Sequence, residues 1–183
     1  SERILQELVI KWGEREDADE LLYYGSVDAT PLYVRLVLDY LKRCDPLILD
    51  TKYTRKDGKE ATIRDSVLAA LSWIEERIDS SSLGLVEFKR TNPKGIENQV
   101  WKDSKEAYTH ENGEPANHDA PIAAIEVQGY AYDALMKAGH VFKESNPADA
   151  DRFEAKAKNL QRKTLELFWM PDRQFFAMGI DRN

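Results

Sequence analysis

The stretch PIAAIEVQGY, residues 121–130, opens a helix that is apolar on most of its sides. We expect this helix to cover about residues 121–142 and to be buried, because its apolar residues are not confined to one stripe. An earlier predicted helix, about residues 30–43, has the same character through the stretch LYVRLVLDYL at 32–41. Both follow similar openings, DATPL at 28–32 and DAPI at 119–122.

Two further predicted helices carry one apolar stripe each. In about residues 62–79, apolar side chains recur at steps of three and four residues, which indicates an amphipathic helix. The last predicted helix, about residues 146–169, begins with Asn146 as the N-cap and Pro147 in its first turn. A short strand-like run follows each of them: GLVEF at 84–88 and QFFAM at 174–178.

The predicted helices alternate between buried and amphipathic, in two helix pairs with similar openings. Helices that alternate in this way are typical of a ring-shaped fold with an inner and an outer layer. Two helix pairs are too few to close such a ring and can form only an arc of it. We therefore predict an all-α fold, part of an (α/α)6 toroid with short strands in its loops, as one domain over residues 1–183. The opening residues SERILQEL are typical of a helix already under way. They predict that the chain is a piece of a longer protein.

Composition limits the partners and the compartment. The net charge is −7 and no basic run occurs, so we expect neither nucleic acid nor an anionic membrane surface as a partner. No apolar run reaches the roughly 18 residues that span a bilayer. The single cysteine, Cys44, is compatible with a reducing compartment, and no signal-peptide pattern is present. We expect a cytoplasmic protein, and no cofactor is predicted, since phosphate-binding and dinucleotide motifs are missing.

A long segment, residues 89–119, has neither helical nor strand periodicity. Connections of this length are uncommon in compact domains and are usually functional or disordered. At its centre lies NQVWKDS, residues 98–104, in which Asp103 follows Trp101 closely. Burial against an indole would raise the pKa of a carboxyl toward neutrality, as a general acid requires. Alternatively, Asp103 and Glu106 have the spacing of a capping box at a short helical turn.

Glu126 interrupts an otherwise apolar run of the third predicted helix. A carboxylate on a buried helix is costly unless it is paired or hydrogen-bonded. Glu126 therefore either faces a polar pocket or bonds a structural partner such as a tyrosine hydroxyl. On the same helix, we expect one of Gln128 and Asp133 to face the pocket and the other to face solvent.

Asp28 permits two interpretations. It is either the N-cap of the first helix or, with Tyr23 and Tyr24 before it, part of a platform on which a sugar stacks. The histidines are weaker candidates. His110 and His118 share the long loop but lack the spacing of metal ligands, so we predict no metal site.

Three motifs in order carry a resemblance to a known family. YYGSVDATPL at 23–32, NQVWKDS at 98–104, and PIA at 121–123 with EVQGY at 126–130 resemble bacterial glycogen-debranching-type proteins. These are the amylo-α-1,6-glucosidase relatives among the six-hairpin glycosidases. The resemblance covers nearly the whole chain. It implies an (α/α)6 toroid, hydrolysis of a glucosidic bond with inversion, and a glucan or oligosaccharide as substrate.

The resemblance also implies roles for individual residues. Asp103 corresponds to the general acid, and the sugar-binding residues that it implies are Trp101, Lys102, Glu126, Gln128, Asp28 and Tyr24. Inverting enzymes need a second carboxylate about 6.5–9.5 Å from the acid to activate water. In the relatives it lies on a later helix that has no counterpart here, so we expect this chain alone to be inactive. Residues 13–23 also depart from the relatives, which carry a histidine-glutamate step there.

Two other functions fit the same residues. One is a non-catalytic carbohydrate-binding module, and the other is a helical module that binds proteins. Both sugar hypotheses require Asp103 and Glu126 to converge on one concavity, whereas a scaffold places them on different surfaces. An incomplete ring would also leave inner-helix apolar surface uncovered, which predicts self-association.

Overall fold

Four helices dominate the part of the chain that the computed structural model describes, which is residues 25–91, 95–102 and 104–182. They are α1 (Ala29–Arg43), α2 (Ile63–Ser80), α3 (Ile125–Val141) and α4 (Pro147–Phe168). All four predicted helices are therefore present. The helix expected in residues 1–8 lies outside the described residues. None of the described helices is long and apolar enough to cross a membrane.

Local signals set the starts of two helices. At α2, the Thr62 side chain accepts a hydrogen bond from the Asp65 N–H, and the Asp65 carboxylate accepts one from the Thr62 N–H. This reciprocal pair is a capping box. At α4, the Asn146 side chain accepts from the Asp149 N–H, and Pro147 is the first helical residue. The predicted start of α4 is thereby confirmed.

Six short strands in the described part form three antiparallel pairs. β1 (Lys52–Thr54) pairs with β2 (Glu60–Thr62), β3 (Ala123–Ala124) with β6 (Gly179–Ile180), and β4 (Trp169–Met170) with β5 (Phe175–Phe176). Because β3 takes up residues 123 and 124, α3 begins later than the sequence predicts. The fold is thus mainly helical but not all-α.

Two strand-like runs were expected, and they have different outcomes. The run at 174–178 contributes β5, which the sequence predicts correctly. The run at 84–88 forms no regular strand and contributes a single bridge, between Phe88 and Ile122. Its apolar residues Leu85 and Val86 are buried instead in the core. Because Leu85 and Val86 are both buried, the run is apolar without alternation. A buried strand has the same pattern, so the sequence alone does not distinguish the two.

α3 is the central helix of the described fold. It packs against α4 on one side and α1 on another, while α1 also contacts α2. The expected burial of α3 is confirmed, since Ala131, Ala134 and Ala138 are fully buried. These small side chains allow the neighbouring helices to approach closely.

The prediction that α1 is buried on most sides is wrong. Val34, Val37 and Leu38 are buried, but Leu36 is 69% exposed and Tyr40 is also exposed. The physical reason is that, among the described elements, its main neighbours α2 and α3 leave Leu36 and Tyr40 uncovered. α1 therefore presents an apolar stripe to the surface.

Candidate functional site

The loop that carries Trp101 is fixed to the start of α1. The Val27 N–H donates to the Gln99 carbonyl at 2.8 Å, and the Trp101 N–H donates to Asp28 Oδ2 at 3.0 Å. The Ser26 hydroxyl donates to the other oxygen of Asp28. Asp28 occupies the N-cap position of α1, but its side chain makes no capping bond to the helix. The buried carboxylate holds the loop instead, which neither interpretation from the sequence included.

Asn98 forms a second anchor for the same loop. Its side chain is fully buried, its amide donates to the Ser104 carbonyl, and its Oδ1 lies 2.9 Å from His118 Nε2. These contacts join the two ends of the NQVWKDS motif. Asp103 lies outside the described residues, and so does Tyr24. The structure therefore describes the residues on both sides of Asp103 and not the predicted acid.

Glu126 is the carboxylate around which the described site is built. Lys102 Nζ lies 3.0 Å from Glu126 Oε1, and the Tyr108 hydroxyl donates to the same oxygen at 3.2 Å. The tyrosine partner that the sequence offered as one alternative is thus Tyr108. The Glu126 side chain is only 13% exposed. We call Trp101, Lys102, Tyr108 and Glu126 the Glu126 cluster.

One oxygen of the Glu126 carboxylate has no hydrogen-bond partner among the described residues. Oε2 is buried and makes no hydrogen bond with any described residue. Leaving a buried acceptor unsatisfied costs about 1–3 kcal/mol, so folded proteins rarely keep one without a reason. An additional donor, such as a ligand hydroxyl, would remove that cost.

Two aromatic rings lie close to the Lys102 ammonium. Its Nζ lies 5.0 Å from the centre of the Trp101 ring and 5.7 Å from the centre of the Tyr108 ring. Both distances are within the range of cation–π attraction. The Tyr108 side chain is buried, whereas Trp101 is 65% exposed and offers much of its indole to solvent.

The electrostatics of the cluster keep Tyr108 protonated. Burial, together with the Glu126 carboxylate, raises the pKa of Tyr108 well above its usual value. The charge of Asp28 contributes in the same direction. Tyr108 therefore remains a hydrogen-bond donor to Glu126 at neutral and moderately alkaline pH.

Gln128 does not join the cluster, and its assignment as a sugar-binding residue needs correction. Its side chain is buried and bonds only backbone. Oε1 accepts from the Val86 N–H at 2.9 Å, while Nε2 donates to the Val86 and Ala124 carbonyls at 2.8 and 2.9 Å. Both amide hydrogens are used, so no donor remains for a sugar. Gln128 is a core residue that fixes residue 86 to α3.

Asp133 is neither a pocket residue nor simply solvent-facing. It bonds Arg35 of α1 at 2.6 Å and Lys137 of α3 at 2.8 Å. Burial alone would raise the pKa of Asp133, but the hydrogen bonds from Lys137 and Arg35 outweigh it and hold the pKa below its usual value. The group therefore links two helices as an ion pair.

The fold also forms a histidine–aspartate pair outside the Glu126 cluster. His110 Nε2 is 3.0 Å from Asp181 Oδ2, and the Asn117 N–H donates to the same oxygen at 2.6 Å. The two side chains come from distant parts of the sequence, so no spacing could reveal them. Across the described residues, no three His, Cys, Asp or Glu side chains gather as a metal-binding group.

Comparisons with models of known protein families, with curated proteins and with solved structures find no match for this chain. Its function is therefore inferred from the sequence motifs and from the geometry of the Glu126 cluster.

Proposed function

We propose that this chain is an arc of an (α/α)6 toroid in an inverting glycoside hydrolase of the glycogen-debranching type, acting on α-glucosidic bonds. The observation that supports the proposal best is the Glu126 Oε2, a buried oxygen with no hydrogen-bond donor among the described residues, in a cluster that also contains the exposed indole of Trp101. A pyranose ring has apolar C–H faces and hydroxyls at its edge. An indole and a carboxylate oxygen that lacks a donor match those two features.

Lys102 controls access to this carboxylate. Its ammonium covers both the Trp101 ring and Glu126, and the unused oxygen is closed off from solvent. Sugar binding therefore requires the Lys102 side chain to swing away from the indole. Its flexible stem permits this, and the ammonium can then donate to sugar hydroxyls.

The proposed chemistry places Asp103 as the general acid that protonates the leaving glycosidic oxygen. This role rests on the family resemblance of the NQVWKDS motif. The bonds from Asn98 to Ser104 and from Trp101 to Asp28 anchor the described residues on both sides of Asp103, and a general acid is effective only when it is held in position. The base that activates water belongs to another part of the proposed toroid.

The exposed stripe of α1 supports the toroid and also a second candidate function. In the proposed ring, further helices would cover Leu32, Leu36 and Tyr40, which are exposed here. The same stripe is the observation that favours a helical protein-interaction module, because apolar surface of this kind attracts partners. The sugar proposal has the stronger support, since a protein scaffold gives no reason for the unsatisfied Glu126 oxygen.

The test is the substitution Asp103→Asn in the parent protein that contains residues 1–183. We expect kcat on an α-glucosidic substrate to fall by about 10²–10⁴-fold, the usual contribution of a general acid, with substrate binding nearly unchanged. Asp119→Asn, an exposed carboxylate of the same long loop, is the matched control and should leave both quantities unchanged. Equal loss of binding and turnover would indicate the structural capping role for Asp103, and unchanged turnover would refute its catalytic role.

A further inference from the structure

A pocket of about 420 Å³ borders the Glu126 cluster, and Tyr108 belongs to both. The loop around residues 108–116 forms one wall, and residues 170–181 form the other. We call it the hairpin pocket, because β4, β5 and the turn between them supply much of its lining. Its volume falls in the range of about 300–1,000 Å³ typical of small-ligand sites.

Specific contacts hold the walls of the hairpin pocket in place. β6 pairs with β3, and a Cβ added to Gly179 would lie 2.7 Å from Cδ1 of the Tyr108 ring. Glycine at this position therefore allows the backbone of β6 to lie directly against the ring. The Asp181 carboxylate is nine-tenths buried and holds His110 at the wall, while Arg173 bonds Glu111 at 2.7 Å between the two sides.

The lining has two chemical characters. The larger part is apolar, with Phe176, Met170 and Met178 among its side chains, and Phe175 is 65% exposed beside them. The polar part comprises Thr109, His110, Asp181 and the Arg173–Glu111 ion pair. A lining that combines apolar side chains with hydrogen-bonding groups suits a pyranose, which has apolar C–H faces and hydroxyls at its edge.

We propose that the hairpin pocket is a second glucosyl subsite, which binds the neighbouring unit of a glucan whose first unit lies at the Glu126 cluster. This inference rests on the proposed function. Tyr108 connects the two positions, because its hydroxyl bonds Glu126 while its ring lines the pocket. Phe175 and Met178 supply the stacking surface, and His110 accepts or donates to the sugar hydroxyls.

The three methionines of the chain provide a direct experiment. Met170 and Met178 line the hairpin pocket, whereas Met136 lines a separate pocket between α1 and α3 and serves as an internal control. The full chain, labelled with ¹³C at the methionine methyl groups, is titrated with glucose, maltose and isomaltose. The indole N–H signal of Trp101, assigned with Trp101→Phe, reports the Glu126 cluster in the same samples.

We expect at least one disaccharide to shift the Met170 and Met178 signals saturably, without moving Met136, and to bind about tenfold more tightly than glucose. Phe175→Ala should remove most of that preference. Its side chain is largely exposed, so the protein should still fold. Leu165→Ala, at an exposed position on α4, is the matched control and should retain the preference.

The outcomes separate this inference from the proposed function. Disaccharide-dependent shifts at Trp101 with unchanged Met170 and Met178 signals would overturn the second subsite and leave the Glu126 cluster as the sugar site. Shifts of Met136 as large as those of Met170, or an unchanged preference in Phe175→Ala, would also overturn the subsite. No response of any signal to any of the three sugars would overturn both.

Discussion

At the scale of single residues, Tyr108 contributes to both proposed sites, because its hydroxyl donates to the Glu126 carboxylate and its side chain lines the hairpin pocket. Burial and the Glu126 charge raise its pKa. The folded protein therefore keeps a proton that the unfolded chain releases near pH ~10. The stability that Tyr108 contributes is fully present below that pH and is lost as the pH rises above it.

The corresponding prediction concerns Tyr108→Phe. At neutral pH the variant should lose about 1.5–3 kcal/mol of unfolding free energy, the value of a hydrogen bond to a charged acceptor. Above pH ~10 its thermal midpoint should fall less steeply than that of the wild type, because the titrating group is gone. Thermal unfolding followed by circular dichroism between pH 7 and pH 11 measures both effects.

Tyr40→Phe is the control for this series. Tyr40 is an exposed tyrosine of α1, so its removal should leave the alkaline slope unchanged. If Tyr108→Phe and the wild type lose stability in parallel above pH ~10, the Tyr108 proton is not held by the fold, and the electrostatic description of the cluster is incorrect.

At the scale of elements, α3 carries Glu126 in its first turn and packs against α4. Gly139 is where the two helices approach most tightly among the described glycines of α3. A Cβ there would lie 2.6 Å from Glu154 Cγ and 3.1 Å from the Ala150 carbonyl oxygen. Close packing leaves α4 little room to yield to an added methyl group.

Gly139→Ala should therefore destabilise the protein by about 1–3 kcal/mol, the usual cost of overpacking. Gly129→Ala in the same helix is the matched control, because nothing lies within 4 Å of a Cβ added there. It should stabilise by about 0.5–1 kcal/mol through helix propensity alone. Urea unfolding of both variants measures the difference, and equal effects would show that α3 and α4 are not packed this closely.

At the scale of the whole molecule, the sequence predicted what local signals determine. The stripes of α2 and α4, the Asn146 cap and Pro147 all act within a few residues, so these helices were located correctly. The β1–β2 hairpin was missed because its strands are short and exposed and lack an apolar alternation. The burial of α1 was overestimated because composition shows that side chains are apolar but not what covers them.

The same limit applies to the site. The sequence predicted that Glu126 needs a partner, but it could not select Tyr108 from eight tyrosines. The family resemblance implies a sugar-binding role for Gln128, but a polar residue in an apolar helix has the same appearance in the sequence whether it bonds a ligand or buried backbone. The His110–Asp181 pair joins residues 71 positions apart, a distance at which no spacing rule applies.

The central claim is that Glu126, within its aromatic surroundings, binds sugar. Isothermal titration of the full chain with maltooligosaccharides tests it most directly, with Glu126→Gln compared against Glu76→Gln, the same change at an exposed position of α2. We predict saturable binding by the wild type and by Glu76→Gln. Glu126→Gln should bind about 10–100-fold more weakly, because hydrogen bonds to a charged acceptor contribute about 1.5–3 kcal/mol. Equal affinities of all three proteins, or no binding by the wild type, would contradict the claim.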